Sequence, residues 1–563
     1  VKWGPDKWAI DYRDKNRVNC YDTGTAPCKT ACPAHIAVQG YLKLAAQGKY
    51  REALQLIKRE NPFPAVCGRI CNRRCEDACT RGTVDQAVAI DEVKRFIAQQ
   101  DLDAATRFVP EKVIPKVDGA FDQQIAIIGG GPAGLSCAYY LAEKGYRPTV
   151  FEKERRLGGM LENGLPSFRL EKDVVQAEID VLREMGVQFR CGVEVGKDVT
   201  IAQLREQGYQ GFYVAVGLQS GGRLNIPGDD AQGVTAGIDF MRRVNGGQET
   251  KLEGRVVVIG GGNIAADVAR TAVRCGAESV DLYCLESYDD MPMGPEDRGE
   301  CERDGITIHA GWGQTEIVTE NGHAAGIRFR KCLRVKNDQG RFAPEFDDND
   351  TCQAQCAAVL YCIGQKVDWR QLLTGTAVTF NPNGTAQVDP MTYQTAEADI
   401  FAGGDAVTGQ KFAIDAIAAG KEGAISLHRF VQKAALTIGR NRRQFVELDK
   451  ENALIPVGFD NTPRQRIGYN EALRRTFRDE RIAFTAQQVQ KETARCLSCG
   501  ASVVDPNKCI GCGVCTTKCA FDAIHLHRER PECTHMIPAE DKMKAILPYM
   551  VKREIKIRKA GKK

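Results

Sequence analysis

The segment from Ile125 to Glu152 constrains the fold more than any other part of this sequence. It reads IAIIGGGPAGLSCAYYLAEKGYRPTVFE, which is an apolar run, a glycine-rich turn, a helical pattern and a second apolar run that ends on an acid. In a βαβ unit of this kind, glycines permit a tight turn and a close backbone approach to a pyrophosphate at the helix N-terminus. The terminal acid can bind the ribose hydroxyls. The segment therefore predicts a dinucleotide site formed by Gly129, Gly131, Pro132, Ala133, Gly134, Glu152 and Lys153.

A second fingerprint of the same kind is nested within the first fold. Arg255–Ile259 reads RVVVI, and the turn GGGNIA opens the helical pattern that follows. Much later, an apolar run enters a Gly-Asp turn at Gly404 and Asp405, where the first fold closes. Two folds, one inserted in the other, predict FAD in the outer fold and a nicotinamide dinucleotide in the inner one. The predicted inner site comprises Gly260, Gly262, Asn263, Ile264, Ala265, Glu286 and Gly364.

Cysteine is unusually abundant, with 23 residues concentrated before residue 80 and after residue 495. In a large chain without a signal-peptide pattern, this density favours metal binding over disulfides. Thiols that recur every four residues suit iron–sulfur clusters, which are held by cysteine thiolates. The N-terminal candidates are Cys28, Cys32, Cys67, Cys71, Cys75 and Cys79.

The stretches PCKTACP, GKYREAL and NPFPAVCGRICNRRCEDAC resemble the N-terminal iron–sulfur domain of the glutamate synthase small subunit. The same domain occurs in the large subunit of NADH-dependent ferredoxin:NADP oxidoreductase and at the start of dihydropyrimidine dehydrogenase. The resemblance implies two [4Fe–4S] clusters. Cys32, Cys71 and Cys75 would share one of them, while Cys28 and Cys79 would belong to the other.

The chain departs from this family pattern in two ways. Lys94 stands where the family has a Gln or Glu as fourth ligand, so the extra thiol of Cys67 is our substitute hypothesis. The family's RCxxCG pair is also missing upstream, where only Cys20 is nearby, and RCLSCG instead begins at Arg495. The resemblance therefore leaves one or two clusters in this domain.

Two motifs after Glu152 resemble flavin-lining elements of the same family. LGGML begins at Leu157, and GLPSFRL begins at Gly164. The strand that ends in VAVG then fits the exit from a first nucleotide-binding half-domain. The further flavin contacts implied are Gly159, Met160, Arg169, Gly217, Gly404 and Asp405.

The choice of nicotinamide depends on the charge that follows the second strand of the inner fold. The family commonly has Tyr-Arg-Arg here, whose arginines pair with the 2′-phosphate of NADP, but this chain has CLE, which ends at Glu286. A carboxylate accepts a hydrogen bond from a free ribose hydroxyl but repels a phosphate. The sequence therefore favours NAD(H). NADP(H) is the alternative, because Arg270, Arg274 or Arg298 could still reach a phosphate.

The C-terminal region carries a bacterial ferredoxin run with the spacing C-x2-C-x2-C-x3-C. This spacing predicts a [4Fe–4S] cluster, and the fourth cysteine of such a run usually binds another cluster. Cys519 could therefore join Cys496 and Cys499 in a second cluster, with Cys533 a possible member. The whole chain would then hold two to four clusters. The C-terminal candidates are Cys496, Cys499, Cys509, Cys512, Cys515 and Cys519.

Composition limits the remaining possibilities. An apolar content of 43% and a charged content of 27% are typical of a globular protein, and a net charge of +4 is too small to indicate nucleic-acid binding. No apolar run is long enough to span a membrane. The cysteines and the polar start of the chain favour the cytoplasm. No catalytic triad or carboxylate pair stands out, and hydride transfer between cofactors needs none.

The predicted fold class is α/β. Two nested Rossmann-like FAD- and NAD(P)-binding domains are flanked by an N-terminal α-helical iron–sulfur domain and a C-terminal ferredoxin-like module. The predicted boundaries are 1–119 for the helical domain, 120–235 and 370–440 for the FAD domain, 236–369 for the NAD(P) domain, 441–495 for a linker and helix, and 496–563 for the ferredoxin-like module with its basic tail.

The sequence thus predicts the flavoprotein subunit of an electron-transfer oxidoreductase. Hydride would pass between NAD(P)H and FAD, and single electrons would pass through clusters to ferredoxin or partner subunits. The resemblance suggests an electron-bifurcating transhydrogenase or a hydrogenase- or formate-linked relative. The alternatives are a glutamate synthase small subunit and, from another class, a scaffold that only carries clusters.

Overall fold

The computed structural model describes residues 25–111, 121–248, 250–438, 440, 449–451, 459–499, 509–518, 526 and 537–560. The chain divides into two compact units, of residues 1–502 and 503–563. Throughout the described ranges, no helix combines the length and the apolar character that a membrane span requires.

Short helices make up the N-terminal part of the first unit, as predicted. Their apolar faces form a buried core, and the thiols lie both in these helices and in the loops between them. Two of them begin with proline, whose fixed φ suits the first helical turn. The helices are α1 (Pro27–Thr30), α2 (Val38–Ala46), α3 (Tyr50–Lys58), α4 (Pro64–Ile70), α5 (Arg74–Asp77) and α6 (Ile90–Ala98).

The outer dinucleotide fold begins with a βαβ unit in which apolar strands alternate with helices. Its first strand is buried from its second residue onward, as expected for a parallel strand covered on both faces. The elements are β1 (Gln124–Ile128), α7 (Pro132–Glu143), β2 (Thr149–Glu152), α8 (Met160–Asn163), α9 (Lys172–Glu184), β3 (Gln188–Cys191), α10 (Ile201–Glu206), β4 (Tyr209–Val214) and β5 (Ser220–Gly221).

The inner fold follows, and a three-stranded antiparallel sheet is attached to it. Its elements are β6 (Val234–Ala236), α11 (Gly237–Asn245), β7 (Arg255–Ile259), α12 (Asn263–Arg274), β8 (Ser279–Cys284), α13 (Pro295–Arg303), β9 (Thr307–Ala310), β10 (Trp312–Glu320), β11 (His323–Lys336), β12 (Phe342–Gln355), β13 (Ala358–Tyr361) and β14 (Gln365–Lys366). The parallel sheet has the order β6-β13-β7-β8-β9.

The chain then returns to the outer fold through β15 (Ile400–Ala402), α14 (Asp405–Thr408) and α15 (Ala413–Val431). Strand β15 pairs in parallel with β4, which gives the outer sheet the order β15-β4-β1-β2-β3. One complete fold is therefore inserted between two strands of another. The predicted nested α/β architecture is confirmed.

Residues 459–499, here called the C-terminal strap, lie against both the N-terminal helices and the nucleotide folds. The strap contains β16 (Gly468–Tyr469), β17 (Arg481–Ile482) and α16 (Ala486–Ala494). The Arg481 guanidinium donates to the carbonyl oxygens of Arg69, at 3.0 Å, and Arg169, at 2.8 Å. The strap therefore connects the helical domain to the flavin fold, where the sequence predicted only a linker and a helix.

The second unit contains α17 (Val514–Lys518) and α18 (Lys542–Ala560). None of the described residues of α18 is buried, although the helix carries several large apolar side chains. The helix ends in the basic segment that the sequence indicated.

One buried glutamate joins the flavin fold to the thiol-bearing helices. Glu178 of α9 has no exposed surface and accepts hydrogen bonds from the backbone N–H groups of Ala65, at 2.7 Å, and Val66, at 2.9 Å. We expect Glu178→Ala to lower the free energy of unfolding by about 3 kcal/mol, because two buried donors lose their acceptor. The measurement is the midpoint of urea unfolding, monitored by circular dichroism.

The control for this prediction is Glu206→Ala, which removes an exposed glutamate of α10. We expect this variant to keep the midpoint of the native protein. An unchanged midpoint in Glu178→Ala would contradict the assigned role of Glu178.

Candidate functional site

A cavity of about 810 Å³ lies where the outer and inner folds meet. Gly129 and Gly131 of the first glycine turn contribute to its lining, and so does Gly262 of the second. Cofactor and ligand sites typically enclose about 300–1,000 Å³. The two loops identified in the sequence therefore open into one space of the size that cofactors occupy.

The first glycine turn has the geometry that a pyrophosphate needs. Gly129 has a φ of +109°, and a Cβ there would lie 2.4 Å from the carbonyl oxygen of Ala215. A Cβ on Gly134 would lie 2.0 Å from the carbonyl oxygen of Gly129. On Gly131 it would meet nothing closer than 3.9 Å. The absence of a side chain at Gly129 and Gly134 allows the chain to pack closely. Gly131 leaves its backbone open to the cavity.

Three helices of 12 or more residues direct their N-termini into this cavity. Pro132 begins α7, Asn263 begins α12 and Ala413 begins α15, and all three residues line the cavity. A helix N-terminus carries partial positive charge and unpaired N–H groups, which bind phosphates and other electron-rich groups. The sequence predicted the first two contributions. It missed the third, because no glycine fingerprint precedes α15.

Two acids at the cavity are held by backbone donors. Glu152 is buried, and its carboxylate accepts from the N–H groups of Gly130, at 2.7 Å, and Glu154, at 2.9 Å. Burial raises the pKa of Glu152. Asp405 accepts from the N–H of Lys411 at 3.2 Å, and burial raises its pKa to about 6. Both acids are therefore fixed at the cavity edge, where cofactor hydroxyls can reach them.

The inner glycine turn repeats the geometry of the outer one. Gly260 has a φ of +138°, and a Cβ there would lie 2.7 Å from the carbonyl oxygen of Cys362. A Cβ on Gly261 would lie 2.7 Å from the Glu286 carboxylate, as one on Gly130 would lie 3.1 Å from Glu152. Glu286 therefore takes, in the inner fold, the position that Glu152 takes in the outer one.

Two arginines that were candidates for binding a 2′-phosphate contact other side chains of the protein instead. Arg270 and Arg274 donate to the same carboxylate oxygen of Asp304, at 2.8 and 2.7 Å. Both also stack on the ring of Phe168, at 4.7 and 3.9 Å from its centroid. Arg298 lies over the Tyr288 ring at 4.8 Å. Arg270 and Arg274 thus have buried partners within the fold.

Most of the predicted nucleotide contacts line the cavity. Gly134, Gly260, Ala265 and Glu286 are outside the lining. The predicted residues in it are Gly129, Gly131, Pro132, Ala133, Glu152, Lys153, Gly159, Met160, Arg169, Gly217, Gly262, Asn263, Ile264, Gly364, Gly404 and Asp405.

Several lining residues gave no signal in the sequence. Gln219 accepts from Lys153 and, through its backbone carbonyl, from Arg242 at 2.6 Å. Asp267 of α12 accepts from Arg169 at 2.9 Å and so joins the two folds at the cavity. These residues lie in loops or inside helices, without a glycine motif beside them. Others of this kind are Trp369, Arg370, Gln371, Gln410, Lys411, Phe412 and Ala416.

The first group of thiols gathers around Lys94. Burial raises the pKa values of Cys71 and Cys75, and the nearby Lys94 ammonium opposes this change. Cys32 is also among the groups that act on Cys71. Lys94 itself is buried and forms an ion pair with Asp91. Cys71 thus lies within electrostatic reach of Cys32 and of Cys75. That the three share one cluster, as the resemblance implies, stays a prediction.

Cys67 lies one turn before Cys71, whose N–H donates to the Cys67 carbonyl at 3.0 Å. The Cys67 side chain is 1% exposed. Burial and the nearby Cys71 thiol raise its pKa, whereas the Lys94 ammonium lowers it. Its role as the substitute fourth ligand stays a prediction.

A second group of thiols comes from both ends of the first unit. Cys28, Cys79, Cys496 and Cys499 line one small cavity. Burial raises the pKa of Cys28, and the sulfur atoms of the other three raise it further. The pair that begins the predicted C-terminal module thus lies among N-terminal thiols.

The ferredoxin run belongs to the second unit. Cys509, Cys512 and Cys515 are exposed, and the N–H of Gly511 donates to the Cys509 sulfur at 3.4 Å. Cys519 and Cys533 lie outside the described residues, as does Cys20.

The chemistry of these thiol groups fits iron–sulfur clusters. Each described cysteine is a free thiol. Within the described ranges, no three His, Cys, Asp or Glu side chains are close enough to hold a single metal ion. A cubane cluster spreads its thiolates apart because each binds a different iron. The glycine cradles at Gly131 and Gly262 likewise leave room for a nucleotide backbone.

Comparison with known families agrees with this geometry. Residues 123–420 match the pyridine nucleotide-disulphide oxidoreductase family. The chain belongs to this family. Residues 12–106 match the 4Fe-4S cluster domain II of dihydropyrimidine dehydrogenase, and residues 502–525 match a 4Fe-4S binding domain. Along its sequence, this pyridine nucleotide oxidoreductase thus has one iron–sulfur domain before its nucleotide folds and one after them.

Three curated relatives extend the comparison. The chain is 34% identical to the NADP(+)-dependent formate dehydrogenase subunit beta of Moorella thermoacetica, over 84% of this chain and 70% of that protein. It is 30% identical to the NADPH-Fe(3+) oxidoreductase subunit beta of Geobacter sulfurreducens, over 85% and 75%. It is 33% identical to the glutamate synthase [NADPH] small chain of Halomonas elongata, over 72% and 87%.

These matches confirm the predicted resemblance to the glutamate synthase small subunit. The family matches confirm the enzyme class, an FAD- and iron–sulfur-dependent nicotinamide oxidoreductase, and the kinds of cofactor, which are FAD, a nicotinamide dinucleotide and [4Fe–4S] clusters. The choice of NAD(H) and the number of clusters stay predictions. Cys362 is the single cysteine among the described residues that line the large cavity of this oxidoreductase.

Proposed function

We propose that this oxidoreductase is the flavoprotein subunit of a multi-subunit electron-transfer complex. It exchanges hydride between a nicotinamide dinucleotide and FAD, and it passes single electrons through [4Fe–4S] clusters to ferredoxin or to partner subunits. The observation that carries the proposal is the opening of both glycine loops into one cavity. This arrangement supports direct contact between the two dinucleotides, which hydride transfer requires.

The residues of the cavity bind and orient the cofactors. The N-termini of α7 and α12 stabilise the pyrophosphates, and the backbone at Gly131 and Gly262 allows their close approach. Glu152 accepts hydrogen bonds from ribose hydroxyls, and Asp405 does the same for the ribityl chain. FAD, when bound, supplies the conversion between two-electron hydride chemistry and the single electrons that clusters carry.

Bleaching of the flavin by NADH under argon tests the enzymatic function against the scaffold alternative. We expect the flavin absorbance to fall within the first turnover. Flavin that stays oxidised with both NADH and NADPH would favour a scaffold that only holds clusters.

The proposed nicotinamide is NAD(H), because Glu286 lies beside the inner glycine turn and would repel a 2′-phosphate. NADP(H) is the second candidate, since all three relatives described above carry NADP(+) or NADPH in their names. We expect kcat/KM for flavin reduction to be higher with NADH. Glu286→Gln should shift the NADH/NADPH ratio about tenfold toward NADPH, which corresponds to about 1.4 kcal/mol.

Glu320→Gln is the matched control, because Glu320 is an exposed glutamate at the end of β10 in the same domain. It should leave the ratio unchanged. A native preference for NADPH that Glu286→Gln does not alter would overturn the assignment of NAD(H).

The proposed partners are other electron-transfer subunits, in an assembly of the electron-bifurcating type. The two relatives named subunit beta support a multi-subunit context. The glutamate synthase small chain supports the runner-up, because this chain spans 87% of its length. Purification under argon from the native host separates the two. A co-purifying glutamate-forming chain indicates the runner-up, and a cluster-bearing or ferredoxin-type chain indicates the first proposal.

A further inference from the structure

Four cysteines from distant parts of the chain meet at one place in the first unit. Cys28 lies in α1 and Cys79 follows α5, whereas Cys496 and Cys499 follow α16 at the end of the C-terminal strap. All four line one small cavity, together with the apolar side chains of Val38, Leu42, Val88 and Ile90. The thiols are thus enclosed by packed N-terminal helices.

Arg495, the residue just before the pair, fixes the strap at this point. Its side chain has no exposed surface. It donates to the carbonyl oxygens of Thr462, Gln86 and Ala87, at 2.9, 2.6 and 3.1 Å, and to the carboxylates of Glu492 and Asp85, at 2.7 and 3.1 Å. These five contacts match the five N–H donors of a guanidinium group. Burying a guanidinium cation costs free energy, and these contacts offset that cost.

Residues of the N-terminal domain also donate hydrogen bonds to the C-terminal strap. Arg81 lies two residues after Cys79, is 1% exposed and donates to the carbonyl of Arg495 at 3.1 Å. Gln39 of α2 donates to the carbonyl of Cys499. The buried Glu492 of α16 accepts from the N–H of Ala89 at 2.8 Å. The segments that carry the two pairs of thiols are therefore tied together by backbone contacts on both sides.

We propose that Cys28, Cys79, Cys496 and Cys499 ligate a single [4Fe–4S] cluster, so that the strap supplies half of the ligands of an N-terminal cluster. Four thiolates complete such a cluster. The strap would thereby replace the cysteine pair that the N-terminal segment lacks. Cys519 would not be needed at this site, contrary to the pairing that the sequence suggested. This assignment deepens the proposed function. It rests on that function only for the path that electrons take, and not for the identity of the ligands.

Iron analysis of the full-length holoprotein, prepared under argon, tests the proposal. We expect Cys496→Ser/Cys499→Ser to lose about four irons per chain, the content of one cluster, and Cys28→Ser/Cys79→Ser to lose the same number. The quadruple variant should lose no more than either double variant. A loss of about eight irons in the quadruple variant would mean two separate clusters and would overturn the proposal. Full iron content in Cys496→Ser/Cys499→Ser would do the same.

Cys191→Ser is the matched control, because Cys191 is an exposed thiol at the end of β3. It should keep all of the iron. The FAD content of each variant shows whether the nucleotide folds have formed. Because iron is counted without turnover, this result does not depend on whether NADH reduces the flavin.

A second measurement uses the native chain and so avoids folding defects. The holoprotein is treated with iodoacetamide before and after iron chelation, and labelled cysteines are identified by mass spectrometry. We expect Cys28, Cys79, Cys496 and Cys499 to be protected together and to become reactive together. Labelling of Cys496 and Cys499 while Cys28 and Cys79 stay protected would contradict a shared cluster.

Discussion

Gly134→Ala is expected to weaken FAD binding about a hundredfold. The new methyl carbon would lie 2.0 Å from the carbonyl oxygen of Gly129 and 3.1 Å from a methyl group of Ile127. A backbone carbonyl cannot move aside as a flexible side chain can, so α7 must shift away from the glycine turn. We take the cost as about 3 kcal/mol, near the upper end for overpacking. That corresponds to about a hundredfold weaker binding.

The measurement is the FAD content of the purified protein, followed by titration of the apoprotein with FAD. Gly299→Ala is the control, because a Cβ at Gly299 would meet nothing within 4 Å. This variant should bind FAD normally. Normal FAD content in Gly134→Ala would show that the first glycine turn does not hold the flavin nucleotide.

Gly260→Ala is expected to weaken nicotinamide binding strongly while leaving FAD in place. Gly260 has a φ of +138°, which side-chain-bearing residues rarely adopt, and its Cβ would lie 2.7 Å from the carbonyl oxygen of Cys362. The backbone strain and the clash together cost about 3 kcal/mol. We therefore expect kcat/KM for flavin reduction by NADH to fall about a hundredfold.

This second variant separates the two folds experimentally. Its FAD content should be native, and dithionite should still reduce the flavin, because neither depends on the inner turn. Gly299 belongs to the inner fold as well, so Gly299→Ala again serves as the control. Loss of FAD from Gly260→Ala, or undiminished reduction by NADH, would contradict the assignment of one nucleotide to each turn.

The sequence predicted the parts of the site that depend on short segments. The turns at Gly129 and Gly260 were recognised because a strand, a glycine turn and a helix follow one another within a few residues. Their roles in packing follow from local geometry, since Gly134 contacts a carbonyl only five residues away. The position of Glu286 beside Gly261 also agrees with the charge argument made from the sequence.

Other parts of the site were not predictable in this way. The N-terminus of α15 reaches the cavity only because β15 returns to the outer sheet after the whole inner fold. Asp267 joins the folds through Arg169, but it lies inside a helix and reads as an ordinary charged residue. The sequence left Arg270 and Arg274 as candidates for binding a 2′-phosphate, whereas in the structure both donate to Asp304.

The sequence alone determined the nested nucleotide folds and the kinds of ligand, because glycine turns and cysteine spacings are encoded over short stretches of chain. Only the tertiary structure decided which thiols meet. Cys496 and Cys499 precede a ferredoxin run, and spacing alone grouped them with it. They lie instead beside Cys28 and Cys79. The neighbouring Arg495 is buried at this place, where its guanidinium donates hydrogen bonds to surrounding carbonyl and carboxylate oxygens. Burial and hydrogen bonding between distant segments are set by the packed fold, and no local pattern encodes them.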